Sequence, residues 1–137
     1  MQPEIGFREH AHTADWELEV WAPDLPALLE QAAGGMYAIS GVELMPGVSQ
    51  TRKITLHAAD AESLLVQFLS ELLWLEQDQN LAFDRIAVTV DDDYNLNANL
   101  QGCTIAKLDK EIKAVTYHNL AVQATANGLR VNIVFDV

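Results

Sequence analysis

The stretch Asp60-Ala-Glu-Ser-Leu-Leu-Val-Gln-Phe-Leu-Ser-Glu-Leu-Leu-Trp-Leu-Glu-Gln-Asp-Gln-Asn80 decides how the rest of the chain must be read. Asp60 is a residue type that caps a helix by accepting hydrogen bonds from the first free amides. Ala61, Leu65, Phe68, Leu69 and Leu72 then recur at helical spacing, with Glu62, Gln67 and Glu71 turned to the other side. Asp78-Gln79-Asn80 closes the segment. The period changes directly afterwards. Ile86, Val88 and Val90 alternate with Ala87 and Thr89, Asp91 to Asn95 is polar, and Leu96, Ala98 and Leu100 alternate with Asn97, Asn99 and Gln101. That is a hairpin with one buried face. A helix followed by a run of strands, rather than a strict strand–helix alternation, points to a segregated α+β domain.

Working outward toward the amino terminus, Ile5 to His12 reads as a first strand. Leu18, Val20 and Ala22, alternating with Glu17, Glu19 and Trp21, read as a second that stops at Pro23. Asp24 is a second helix cap and Pro26 sits in a first turn, where its missing N–H costs nothing. Leu25, Leu28, Leu29, Ala32, Met36 and Ile39 form the apolar stripe, Gly34-Gly35 leaves room for close approach, and Ser40-Gly41 ends the helix. A short strand is expected around Ile54, Leu56 and Ala58. Toward the carboxyl terminus, Ala114 to Ala124 reads as one long strand, Asn127-Gly128 as a tight turn, and Leu129, Val131, Ile133 and Phe135 as the last strand. The expectation is therefore one domain over residues 1–137, order ββαβαββββ, with two helices packed on one face of a largely antiparallel sheet.

The composition narrows the function classes. The chain has 137 residues, half of them hydrophobic, which suffices for a core. No apolar run approaches the roughly 20 residues of a membrane helix. The start carries Glu4 and no basic leader-type segment, which argues against a secretory signal. One cysteine, Cys103, allows no internal disulfide and fits a reducing cytoplasm. Eight bases against twenty acids give a net charge of −12. Nucleic-acid affinity comes largely from Lys and Arg neutralising phosphates, so this chain would repel RNA at long range. It either acts on a protein or a metal, or is acidic only for solubility.

Familiar catalytic signatures are absent: no glycine-rich phosphate loop, no Cys-x-x-Cys, no His-Glu-x-x-His and no nucleophile elbow. Four features remain. His10-Ala-His12-Thr-Ala-Asp15 puts two histidines one pleat apart; they could share a zinc with His118 or Asp15, or His12 could simply bond locally at the turn. The ending Phe135-Asp136-Val137 concentrates carboxylate oxygens. With Asp15 beside it, this would suit a hard ion such as calcium, magnesium or manganese; alone, it is a solvated terminus. Asp91-Asp92-Asp93-Tyr94-Asn95 mimics the start of a calcium loop, but Leu96 and Gly102 stand where Gly and Glu are required, so it reads as a hairpin tip. Lys113, ahead of an apolar strand with His118 further along, would either meet a carboxylate pocket or phosphate, or guard a strand edge.

Taken together, three of these stretches resemble the signatures of the archease family. His12-Thr-Ala-Asp15, with the following strand and the helix from Asp24, resembles the first. Lys113-Ala-Val-Thr-Tyr-His118 resembles the second, and Arg130-Val-Asn-Ile-Val-Phe-Asp136-Val137 the third. The resemblance spans the chain. It departs from the pattern at Ala11, where relatives often carry an acid or a small polar residue, and at Trp16-Glu17-Leu18. What it implies is a non-enzymatic, cytoplasmic partner of the RtcB-type tRNA-splicing or RNA-repair ligase, which uses GTP and manganese. The partner promotes ligase guanylation and multiple turnover without strong nucleic-acid binding of its own. It also implies a divalent cation, calcium in the family, held by Asp15, Asp136 and the Val137 carboxylate, with Lys113 functional and His12 and His118 as further candidates. Two other readings stay open on the residues: a metal-dependent phosphohydrolase or nuclease, and a chaperone-like binding module with a structural metal.

Overall fold

A computed structural model describes residues 4–11 and 16–137. Two helices and nine strands follow in the order β1 (Gly6–Ala11), β2 (Trp16–Ala22), α1 (Leu25–Ser40), β3 (Glu43–Leu44), β4 (Gln50–His57), α2 (Ala61–Gln79), β5 (Leu81–Val90), β6 (Asn95–Lys107), β7 (Ala114–Val115), β8 (Gln123–Thr125) and β9 (Gly128–Asp136). The α+β class holds, and every strand pairing is antiparallel.

Both helices start and stop where their caps dictate. The Asp24 carboxylate accepts from the Ala27 N–H at 3.0 Å and that of Asp60 from the Ser63 N–H at 2.7 Å. Gly41 and Asn80 end them in the left-handed region, φ 68° and 55°, which lets their amides turn back onto the last carbonyls. Gly35 performs the close approach its sequence suggested, since a Cβ there would lie 2.6 Å from the Leu18 side chain; its neighbour Gly34 faces open space.

The strands divide between two sheets rather than forming one. The terminal sheet runs β1-β2-β9-β7, with β8 also on β9; the middle sheet runs β3-β6-β4, with β5 on the other edge of β6. Helix α1 packs on β2 and β5, and α2 on β5, β7 and β4, so the helices join the sheets. Phe68, Phe135, Leu18, Leu28, Leu65, Leu72 and Leu96 lie fully buried between them. Two glutamates that a helical pattern alone would turn to solvent work at edges instead. Glu30 accepts from the Val88 N–H of edge strand β5 at 2.9 Å, and Glu62 from the Val122 N–H at 2.8 Å, which removes free donors from strand edges.

The expected long strand over residues 114–124 is interrupted. Its two ends, β7 and β8, both pair with β9, yet Val115 to Gln123 spans eight steps where Phe135 to Arg130 spans five. The surplus loops out through a turn in which the Leu120 N–H donates to the Tyr117 carbonyl and Asn119 takes φ 50°. Apolar residues inside the loop produced the strand-like pattern: Leu120 and Val122 pack against the core from a non-strand conformation. At the Asn127-Gly128 signal the two-residue loop is Ala126-Asn127, because Thr125 pairs with Gly128. Strands β4, β5 and β6 all run further than their alternating cores suggested.

Candidate functional site

The end of β9 is built by three neighbours. Trp16, the first described residue after the 12–15 segment, pairs with Phe135 from one side. Val115 pairs with Phe135 and Ala114 with Asp136 from the other. Alternation then separates the chemistry: Phe135 is fully buried, while Asp136 and Ala114 face outward and are exposed. The Lys113 N–H donates to the Asp136 carbonyl at 2.8 Å, and Thr116 fixes the following turn by donating from both its N–H and its hydroxyl to the Val134 carbonyl, at 3.0 and 2.9 Å. Two of the sequence features, the Lys113 segment and the terminal Asp136-Val137, are thus hydrogen-bonded neighbours.

The loop that delivers Lys113 is pinned along its length. The Asp109 and Lys110 amides both donate to the Ser40 carbonyl at the end of α1, each at 3.0 Å. Ile112 is buried, and the Lys110 ammonium lies 5.6 Å from the centre of the Trp16 ring, a cation–π distance. Lys113 itself is exposed and borders a shallow cavity of about 250 Å³ shared with Ser70, Trp74 and Gln77 of α2. Trp74 is half exposed there. Sequence reasoning passed over Trp74 and Lys110; an aromatic at an exposed helix position was the available signal for the first, and nothing local distinguishes the second.

Not every candidate joins this cluster. Asp15 and His12 lie outside the described residues. His118 is exposed in the turn and contacts Asn119 at 3.2 Å. His10 is engaged on β1, its Nε2 3.1 Å from the Glu19 carboxylate. Arg8 and Arg130 flank that carboxylate at 3.8 and 3.5 Å, and Glu19 is only 12% exposed. This ionic cluster on the outer face of the terminal sheet was not foreseen, because it needs the β1-β2-β9 register that no single strand reveals. Asp91 is the organiser of its hairpin tip: its carboxylate accepts from the Asp93 and Asn95 amides at 2.9 and 3.0 Å, and those bonds, with that of the Asn95 side chain, hold its pKa below the usual carboxylate range.

For a divalent cation, the chemistry of the donors fits in type. A carboxylate oxygen is a hard ligand, and Asp136 presents one on an ordered strand end with Val137 packed half-buried beside it. Among the described residues no group of three or more His, Cys, Asp or Glu side chains comes together.

Residues 7–137 match the Archease protein family (MTH1598/TM1083). The chain belongs to the archease family. It is similar to the protein archease of Methanosarcina barkeri, with 32% identity over 92% of each chain, and to a Drosophila melanogaster protein archease-like, with 28% identity over 98% of this chain and 92% of the other. Its fold is shared with the solution structure of Methanobacterium thermoautotrophicum protein 1598, at TM-score 0.71 and 23% identity, covering 96% of this chain and 99% of that one. It is shared too with the crystal structure of an archease, described as a possible chaperone, from Thermotoga maritima, at TM-score 0.67 and 22% identity, covering 100% and 97%. No helix among the described residues of this archease is long and apolar enough to cross a membrane.

Proposed function

We propose that this archease is a non-enzymatic activator of an RtcB-type RNA ligase, acting in tRNA splicing or RNA repair in the cytoplasm. It promotes the GTP-dependent guanylation of the ligase and so sustains multiple turnover. Asp15, Asp136 and the Val137 carboxylate hold a divalent cation, calcium, magnesium or manganese, and Lys113 meets a phosphate. His12 and His118 are secondary candidates.

The observation that carries this reading is the bond from the Lys113 amide to the Asp136 carbonyl. It brings the backbones of Lys113 and Asp136 together, although sequence separates them by more than twenty residues. Asp15 precedes Trp16 and Asp136 follows Phe135, and Trp16 and Phe135 are paired. Clustered carboxylates repel unless a cation lies among them, and a cation held there would neutralise them. Lys113, exposed and held by its backbone, is free to contact an anionic group. The net charge of −12 suits docking on a basic ligase, with attraction that weakens as salt rises.

A second reading, a chaperone-like binding module with a structural metal, is favoured by the description of the Thermotoga maritima neighbour as a possible chaperone. Multiple-turnover ligation by an RtcB-type ligase separates the two. The activator reading expects stimulation of both guanylation and turnover, abolished in Lys113→Ala. Unchanged ligation with or without the protein, across magnesium, manganese and calcium, contradicts it.

A further inference from the structure

The eight basic side chains of this acidic chain are unequally engaged. Arg8 and Arg130 flank Glu19. Arg52 donates to the Gln79 amide oxygen at 2.9 and 3.0 Å and to the Thr51 carbonyl at 2.8 Å. Lys107 pairs with Asp109 at 3.4 Å, and Lys110 lies over Trp16. Lys113 belongs to the site described above. Lys53 and Arg85 remain, and neither has an ion pair, hydrogen bond or ring contact among the described residues.

These two cations share one open face. In the middle sheet, Lys53 of β4 pairs with Asn99 of β6, which pairs with Ala87 of β5; Thr51 pairs with Gln101, which pairs with Arg85. Alternation sends all six side chains to solvent, away from Ile54, Leu100 and Val88, and they border an open cleft of about 920 Å³. Lys53 and Arg85 are two strands and two residues apart, roughly 12 Å between α-carbons from strand spacing and rise. Their long side chains can meet over Asn99, and Ala87 leaves the space beside it empty. Asp84 is the acid on the rim. With Arg52 turned to Gln79 of α2 on the other face, Lys53 and Arg85 against Asp84 still leave the lining net positive in a chain of −12.

We propose that this cleft binds a small phosphorylated ligand, with a phosphate held between the Lys53 ammonium and the Arg85 guanidinium and oriented by Asn99. A guanidinium fork and an ammonium are the donors that phosphate oxygens bind most strongly. The volume lies in the range of small-molecule sites. A single-stranded nucleic acid is the poorer occupant: no aromatic side chain lines the cleft for base stacking, and the overall charge repels a polyanion.

The test is a titration of the full-length protein with inorganic pyrophosphate, followed by amide NMR shifts in low salt with EDTA present. The expected result is saturable shifts at residues 51–53, 85–87 and 99–101, with affinity roughly tenfold weaker in Lys53→Ala and in Arg85→Ala. Both side chains are solvent-facing, so both variants fold. Absent shifts at these residues, shifts unaltered by the substitutions, or tighter binding of a short single-stranded RNA to the same face would each overturn the proposal.

Discussion

The middle sheet and the end of the terminal sheet are built on opposite principles. In the middle sheet, β6 pairs with β4 over eight consecutive positions and with β5 from Leu96 to Thr104, broken once at the bulge between Phe83 and Arg85. Its inward residues Ile54, Leu96, Ala98 and Leu100 alternate with Thr, Asn and Gln. The site end of the terminal sheet is instead closed by a two-residue strand, a turn and a pinned loop. There a few backbone bonds, Lys113 to Asp136 and Thr116 to Val134, do what a long ladder does elsewhere. The difference teaches that regular pairing supplies the frame, and that the candidate chemistry sits where pairing is short enough to leave Asp136 and Lys113 exposed.

The sharpest way to break the frame is at its shared core. Phe135→Ala removes a fully buried ring at the point where β2, β7 and β9 meet, and should lower stability by about 3–5 kcal/mol in denaturant unfolding. A loss under about 1 kcal/mol would mean that the site end is not anchored through Phe135.

Gly102→Ala probes the middle sheet at the bulge of its β5–β6 pairing. A Cβ there would collide with the backbone of Ala82 and Phe83, which cannot yield as a side chain can. A loss of roughly 1–3 kcal/mol is expected, measured the same way.

A smaller effect tests how the sheets are joined. Glu76 on α2 is 7% exposed, and burial, with the Glu111 charge adding, raises its pKa to about 7. The folded chain therefore keeps a proton there that the unfolded chain releases above its ordinary value near 4.5. The stability this contributes is full below pH 4.5 and is lost as pH rises through 7. Glu76→Gln should stabilise by on the order of 2 kcal/mol at pH 8 and by almost nothing at pH 4. Equal melting-temperature shifts at both values would refute the assignment.

The same contrast decides what could be read from the sequence. Helix caps Asp24, Asp60 and Gly41, the stripe from Leu65 to Leu72, and the hairpin around Asp91 all follow from local chemistry and were legible. The break at residues 116–122 was not, since Leu120 and Val122 bury apolar side chains without being a strand. Nor was the Glu19 cluster, whose members come from three strands. The pairing of the Lys113 segment with Asp136 was not legible either, because register over a two-residue strand leaves no periodic trace.

Asp136→Ala tests the central claim most directly. The side chain is exposed and lies outside the core, so the melting temperature should stay close to wild type, with stability changed by less than about 0.5 kcal/mol. Measured in parallel, stimulation of an RtcB-type ligase should be lost. A folded variant that stimulates ligation as well as the wild-type protein would contradict the carboxylate site and with it the proposed mechanism.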